Sequence, residues 1–177
     1  MEIIDPSSTQ KNIIPVMNQA GFLLRFVAYF IDRIIIGFIS MAIILPMLAI
    51  MGISIFSLSG LKSFSEFENM EDAEQLAIIM AAIGAYSTLI FISIAVNWLY
   101  YALFESSERQ ATPGKMALGI KVTNLQGNRI SFLNATGRYF GKIISGLLFG
   151  FGYIMILFTE KKQGLHDLMA GTLVVKK

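Results

Sequence analysis

The chain has 177 residues, of which 55% are hydrophobic and only 15% are charged, with a formal net charge of +2 and no cysteine. A soluble domain carries about a quarter charged residues, so this composition argues against an ordinary soluble protein. The absence of cysteine excludes disulfides and thiolate chemistry.

The first twenty residues are polar and contain two prolines. They lack the short apolar core and small-residue cleavage site of a signal peptide. We interpret residues 1–20 as a flexible cytoplasmic lead that precedes one membrane domain, residues 21–177.

Two long stretches, 34–61 and 75–104, contain no charged residue and no histidine. A bilayer core is crossed by about 20 apolar residues in a helix. Both stretches therefore predict transmembrane helices, over about 22–56 and 75–104, and a third, glycine-rich hydrophobic segment covers about 139–160. The predicted fold class is an all-α membrane protein with these three segments, a small cytoplasmic β-hairpin and a C-terminal strand.

The loops between the helices differ in charge. The loop 61–74 has one lysine against five acidic residues, whereas the loop 105–142 has six basic residues. Because Lys and Arg collect on the cytoplasmic side, the N-terminus is predicted to be cytoplasmic. Four lysines in residues 159–177 place the C-terminus on the same side.

Strand patterns flank the third segment. Residues 119–131 have the pattern of a hairpin, and residues 171–177 that of a strand. Strands pair only on one side of a membrane, so residues 139–160 are expected to enter and leave on the cytoplasmic side as two half-helices. A single tilted span with an external tail is the alternative. The glycines expected to supply the bend are Gly146, Gly150 and Gly152.

Arg25 and Asp32 stand in an otherwise apolar stretch, seven residues apart. In a helix they share nearly one face, about 10 Å apart along the axis. One interpretation is that they mark the cytoplasmic edge of a span that starts at residue 34. The other is that they lie within the membrane, where charged residues usually face a protein interior and are functional candidates.

Three further segments supply polar candidates. Asn97 belongs to a stripe of polar residues at four-residue spacing, which predicts either ordinary interhelical hydrogen bonds or the wall of a polar cavity. Lys115 follows Thr112 and Pro113, a helix-start signal. The single histidine, His166, precedes Asp167, and we predict neither a metal site nor an enzyme, because no nucleophile or second histidine accompanies them. The stripe consists of Ser93, Asn97, Tyr101 and Glu105.

These segments together resemble the RDD family of bacterial membrane proteins, which is named for one arginine and two aspartates. The resemblance maps the arginine and first aspartate onto Arg25 and Asp32, and the second aspartate onto Asp167 in HDLMAGT. TPGKMALGIKV also looks like the corresponding segment of the family. Leu168 departs from it, because a basic residue often follows the second aspartate. The resemblance implies an inner-membrane protein, and some members have been proposed as cation/proton antiporters.

We therefore predict a multi-pass inner-membrane protein that exchanges Na⁺ or another small cation for H⁺ at a polar cluster in the cytoplasmic half of the bilayer. The alternative is a non-transporting accessory or assembly protein in which the same charges form a structural clamp. The expected partners are the lipid bilayer and further copies of the chain or a larger membrane complex, with no nucleic acid, cofactor or metal. The predicted cluster comprises Arg25, Asp32, Asn97, Lys115, Arg138 and Asp167.

Overall fold

The computed structural model describes residues 18–59 and 64–177. Two long helices dominate it, α1 (Phe22–Ser59) and α3 (Asp72–Ser106), with the short α2 (Phe64–Glu68) between them in sequence. Both long helices are long and apolar enough to cross a membrane, which confirms the two predicted spans. The lead predicted for residues 1–20 lies outside the described residues as far as residue 17.

The described residues form two compact units. The helical unit is Ile31–Tyr100, and the sheet unit consists of Tyr101–Lys177 together with the described residues up to Phe30. Helices α1 and α3 each contribute residues to both units. In the helical unit most large apolar side chains are exposed, as expected of helices whose outer surfaces face lipid.

A two-stranded antiparallel sheet organises the sheet unit. Strand β1 (Ile120–Asn124) pairs with β2 (Thr172–Lys176), with Val122 opposite Val174. The chain immediately before α1 adds to the other edge of β2, because the Ala20 N–H donates to the Val174 carbonyl at 2.8 Å and the Lys176 N–H donates to the Asn18 carbonyl at 2.8 Å. Sequence-distant segments thus meet in one sheet.

The structure corrects the hairpin predicted within residues 119–131, which form one strand followed by a turn. The Asn124 side chain accepts hydrogen bonds from the backbone N–H groups of Gln126 and Asn128 at 3.0 and 2.8 Å. This local turn directs the chain away after Asn128, and Ser131 then caps a helix. The partner of β1 is therefore the C-terminal strand, which was predicted separately.

Four further helices belong to the sheet unit. Helix α4 (Pro113–Ala117) begins after Thr112, as the Thr-Pro signal predicted. Helix α5 (Phe132–Leu147) is followed by α6 (Phe151–Ile154), and a 3₁₀ turn over Met155–Leu157 extends α6. The chain turns by 115° between the two arms. Helix α7 (Leu165–Met169) then leads into β2.

The bend supplies the predicted break in the third hydrophobic segment. It lies at residues 148–150, where Phe149 and Gly150 have φ angles of 52° and 81°. Glycine adopts this left-handed conformation without steric cost. Of the three glycines expected at the bend, Gly150 occupies it, whereas Gly146 lies in α5 and Gly152 lies in α6.

Candidate functional site

Asp167 lies at the start of α7, fully buried, between two arginines. Its Oδ2 accepts a hydrogen bond from Arg25 Nη1 and another from the Gly164 N–H at 3.2 Å. Its Oδ1 lies 2.8 Å from Arg138 Nη2. Arg25 is fixed further by the Ala20 carbonyl, 2.9 Å from its Nε. The pair of residues 25 and 167 therefore joins the first turn of α1 to α7 within the sheet unit.

A second buried carboxylate, Glu105, lies near the end of α3. Lys115 Nζ is 2.5 Å and Lys142 Nζ 3.4 Å from its Oε1. Lys142 also lies over the ring of Tyr101, 4.0 Å from the ring centre, a favourable contact between a cation and the negative face of an aromatic ring. Glu105 thus forms ion pairs with ammonium groups from α4 and α5.

Arg138 of α5 bridges the two carboxylates. Its Nη2 faces Asp167, and its Nη1 lies 3.6 Å from Glu105 Oε2. The side chain of Arg138 is only 2% exposed. A planar guanidinium suits such a bridge because its nitrogens diverge in a fixed fork. We call the resulting group the charge network; it consists of Arg25, Glu105, Lys115, Arg138, Lys142 and Asp167.

The charge network holds more positive than negative charge. Four basic side chains surround two carboxylates. Burial lowers the pKa of Lys115 to about 8, and Arg138 and Lys142 act in the same direction against the attraction of Glu105. Burial alone raises the pKa of Asp167, but Arg138, His166 and Arg25 outweigh it and hold that pKa at about 2. Asp167 is therefore ionised at neutral pH.

His166 adjoins the network as a neutral group. Burial lowers its pKa to about 3 despite the attraction of Asp167. Its Nε2 lies 3.6 Å from Asp167 Oδ1, and its ring packs against Tyr153 with ring centres 5.2 Å apart. Among the described residues, no three His, Cys, Asp or Glu side chains are placed to hold a metal ion.

Asp32 lies in the helical unit and is fully buried there. Its Oδ1 accepts a hydrogen bond from the Tyr100 hydroxyl at 2.9 Å. Asn97 of the same unit accepts from Arg33 Nη1 at 3.1 Å and donates to the Ser93 carbonyl at 2.8 Å. The Asp32 side chain thus lies on a helix apolar enough to cross a membrane, and it is hydrogen-bonded to a tyrosine hydroxyl.

The six predicted site residues fall into two groups. Arg25, Lys115, Arg138 and Asp167 belong to the charge network, whereas Asp32 and Asn97 belong to the helical unit. In the structure Asp167 pairs with Arg25, whereas Lys115 pairs with Glu105. Whether these residues carry a function stays a prediction.

Sequence reasoning left three important side chains out of the proposed site. Glu105 was noticed only as one member of a polar stripe, and Lys142 only as a loop charge. Tyr100, whose hydroxyl donates to Asp32, was not singled out as a site residue. The four-residue spacing from Ser93 to Glu105 was a usable signal, but nothing in that spacing indicates partners ten and 37 residues away.

Comparison with known proteins decides the family. A model of the RDD family matches residues 19–171. The chain belongs to the RDD family. The matched region includes Arg25, Asp32 and Asp167, onto which the resemblance maps the family's arginine and two aspartates.

Several relatives align with most of this chain. The uncharacterized protein YxaI of Bacillus subtilis is 40% identical over 158 residues, covering 89% of this chain and 97% of its own. The uncharacterized membrane protein YteJ of the same organism is 30% identical over 88% of this chain and 80% of its own. Human FAM8A1 is 27% identical over 86% of this chain and 39% of its own length. No solved structure matches.

Proposed function

We propose that this RDD-family membrane protein exchanges a small cation, such as Na⁺, for H⁺, with Asp32 as the group that binds them in turn. The observation that carries the proposal is the complete burial of the Asp32 carboxylate on a helix apolar enough to cross a membrane. An ionisable side chain in such a segment is costly to bury and is usually retained for function. The proposal assigns the protein no enzymatic reaction.

The charge network has a different role in this proposal. Each of its carboxylates already faces at least two basic groups. A cation would have to compete with arginine and lysine side chains for these oxygens. We therefore assign the network to structure, as a clamp that fastens α5, α7 and the ends of α1 and α3 together within the sheet unit.

The localisation and assembly that we propose are based on the charge of the loops and the number of spanning helices. The acidic loop after the first span and the basic loop after the second favour an inner-membrane protein whose N-terminus is cytoplasmic. Two spanning helices enclose little space, so exchange would require several copies of the chain. We propose a homo-oligomer for that reason.

The test uses the purified protein in sealed liposomes that contain a pH-sensitive dye. A proton gradient is imposed, and Na⁺, K⁺ or Li⁺ is added outside. We expect cation-dependent recovery of the internal pH in the wild type and its loss in Asp32→Asn. Asp72→Asn makes the same change at an exposed carboxylate and serves as the matched control.

A non-transporting accessory protein is the second candidate, and the saturated charge network favours it. In that case no cation restores the internal pH, even though the wild type is folded and correctly inserted. Asp32→Asn would then reduce yield and thermal stability in the manner of Asp167→Asn. A folded Asp32→Asn protein with normal exchange would overturn the role proposed for Asp32.

A further inference from the structure

The elbow formed by α5, α6 and the following 3₁₀ turn, residues 132–157, presents most of its large apolar side chains outward. The exposed fractions are 76% for Leu147, 94% for Phe149 and 69% for Phe151. Phe158, directly after the elbow, is 82% exposed. A cluster of exposed phenylalanines of this kind marks an interaction surface.

The two arms of the elbow are fastened to each other. The Tyr153 hydroxyl of α6 donates to the Lys142 carbonyl of α5 at 2.8 Å. A Cβ added to Gly152 would lie 2.5 Å from Ser145 Oγ, so the arms approach as closely as glycine allows. The elbow therefore cannot straighten into one continuous helix without losing these contacts.

Both ends of the elbow lead to the same sheet. β1 precedes α5, β2 follows α7, and the two strands pair along their whole length of five residues. Strand pairs with open edges do not occur in the hydrocarbon core, because their backbone groups would lack partners. Both strands, and hence both ends of the elbow, must lie on one side of the bilayer.

The lengths of the arms agree with this arrangement. The second arm, residues 151–157, has seven residues and rises roughly 12 Å. A bilayer core is about 30 Å thick, so this arm is too short to bring the chain back from the far side. The elbow is therefore restricted to a shallow excursion from one surface.

Charge at the base of the elbow is complementary to a lipid surface. Lys161 and Lys162 are exposed shortly after the elbow ends at residue 157, and Arg129 is exposed before α5. On α5 itself, the polar residues Arg138 and Ser145 point into the protein and are buried. Apolar side chains outside and basic side chains at the base are typical of a segment that enters the interface of an anionic membrane.

We propose that the elbow dips into one leaflet of the bilayer and returns to the side from which it came, with lipid acyl chains covering Leu147, Phe149 and Phe151. The leaflet is the one beside the sheet, on the side where α1 begins, because residues 18–20 are bonded to β2. The chain then has two spans and one re-entrant elbow. This inference does not depend on whether the protein exchanges cations.

The experiment exploits the absence of cysteine from the chain. Single cysteines are introduced as Gln126→Cys before the elbow, Phe149→Cys at its tip and Lys161→Cys after it. Each variant is reconstituted in sealed vesicles of phosphatidylcholine and phosphatidylglycerol. A membrane-impermeant maleimide is added outside only, or to both sides after the vesicles are opened. The Phe149→Cys protein is also labelled with an environment-sensitive fluorophore, and brominated lipids are used as quenchers.

We expect the maleimide to label Gln126→Cys and Lys161→Cys from the same side of the vesicle membrane in every preparation. Phe149→Cys should be protected by at least tenfold, and its fluorophore should be quenched by lipids brominated in the upper half of the acyl chain. Opposite sidedness of residues 126 and 161 would overturn the proposal and establish a third span. Rapid labelling of residue 149 by the maleimide would show that the tip lies in water. Protection without quenching by any brominated lipid would show that a second copy of the chain, rather than lipid, covers the tip; either result overturns the proposal.

Discussion

Arg138 is the side chain that connects the two halves of the charge network. It faces Asp167 with one terminal nitrogen and Glu105 with the other. Without it, each carboxylate would keep partners from different elements, and no side chain would join the two groups. The bridge depends on the width of the guanidinium, which a lysine ammonium does not match.

We predict that Arg138→Met destabilises the folded protein by about 3–5 kcal/mol, because it removes the strongest electrostatic partner of the buried Asp167. The melting temperature in detergent, followed by circular dichroism, measures this. Arg109→Met removes an exposed arginine and is the control, with an expected change within about 0.5 kcal/mol. Equal melting temperatures for wild type and Arg138→Met would show that the network contributes nothing to stability.

His166 gives the fold a dependence on pH. Its pKa is about 3 in the folded protein and near 6.5 in the unfolded chain. Between these values the unfolded chain binds a proton that the folded protein does not, so stability falls as the pH is lowered, by about 1.4 kcal/mol per pH unit. Asp167, with a pKa near 2, adds a further loss only below about pH 4.

We therefore expect the free energy of unfolding to fall by about 2 kcal/mol between pH 6 and pH 4.5 in the wild type. His166→Gln should be less stable at pH 7 but nearly independent of pH over this interval. Denaturant titrations at several pH values measure both slopes. Parallel slopes for the two proteins would contradict a neutral His166 in the folded state.

At the scale of single elements, the elbow depends on the absence of a side chain at Gly152. A Cβ there would lie within 2.9 Å of the Cα of Ser145. We predict that Gly152→Ala destabilises the protein by about 1–3 kcal/mol through overpacking. At Gly146, in the first arm, an added Cβ meets nothing within 4 Å, so Gly146→Ala should be neutral or stabilise α5 by up to about 1 kcal/mol.

Thermal unfolding of the two variants in the same detergent compares these effects. The pair is matched because both changes add one methyl group to a glycine of the elbow. A Gly152→Ala protein as stable as Gly146→Ala would show that the arms can separate without cost, and the packing described for the elbow would be incorrect.

The elements differ in how far the sequence determined them. The two spans followed from uncharged runs long enough to cross a bilayer, and the Thr-Pro start of α4 from local chemistry. The partner of β1 did not follow, because Asn124 forms a side-chain turn that ends the strand without a return. The charge network was only partly foreseen: Arg25 stood out as a charge in an apolar stretch and Asp167 through the resemblance to the RDD family, whereas the role of Glu105 depends on tertiary contacts that no local spacing encodes.

The segment before the first span and the C-terminal strand of the molecule are hydrogen-bonded to each other. Residues 18–20, just before the first span, bond to β2, the last strand of the chain. Ala20 is completely buried there, and its carbonyl also accepts from Arg25 Nε. The start of α1, the C-terminal strand and the charge network therefore form one continuous set of contacts within the sheet unit.

This closure predicts the effect of Ala20→Pro, which removes the N–H that donates to the Val174 carbonyl and leaves a buried acceptor without its partner. We expect hydrogen exchange at the Lys176 amide to accelerate by roughly tenfold or more, since the neighbouring bond to the Asn18 carbonyl would open with it. Asn18→Pro is the control, because it retains both the Ala20 N–H and the Asn18 carbonyl. If Ala20→Pro leaves exchange at residues 172–176 unchanged, then β2 is held by β1 alone. The segment before the first span would then not fasten the C-terminal strand.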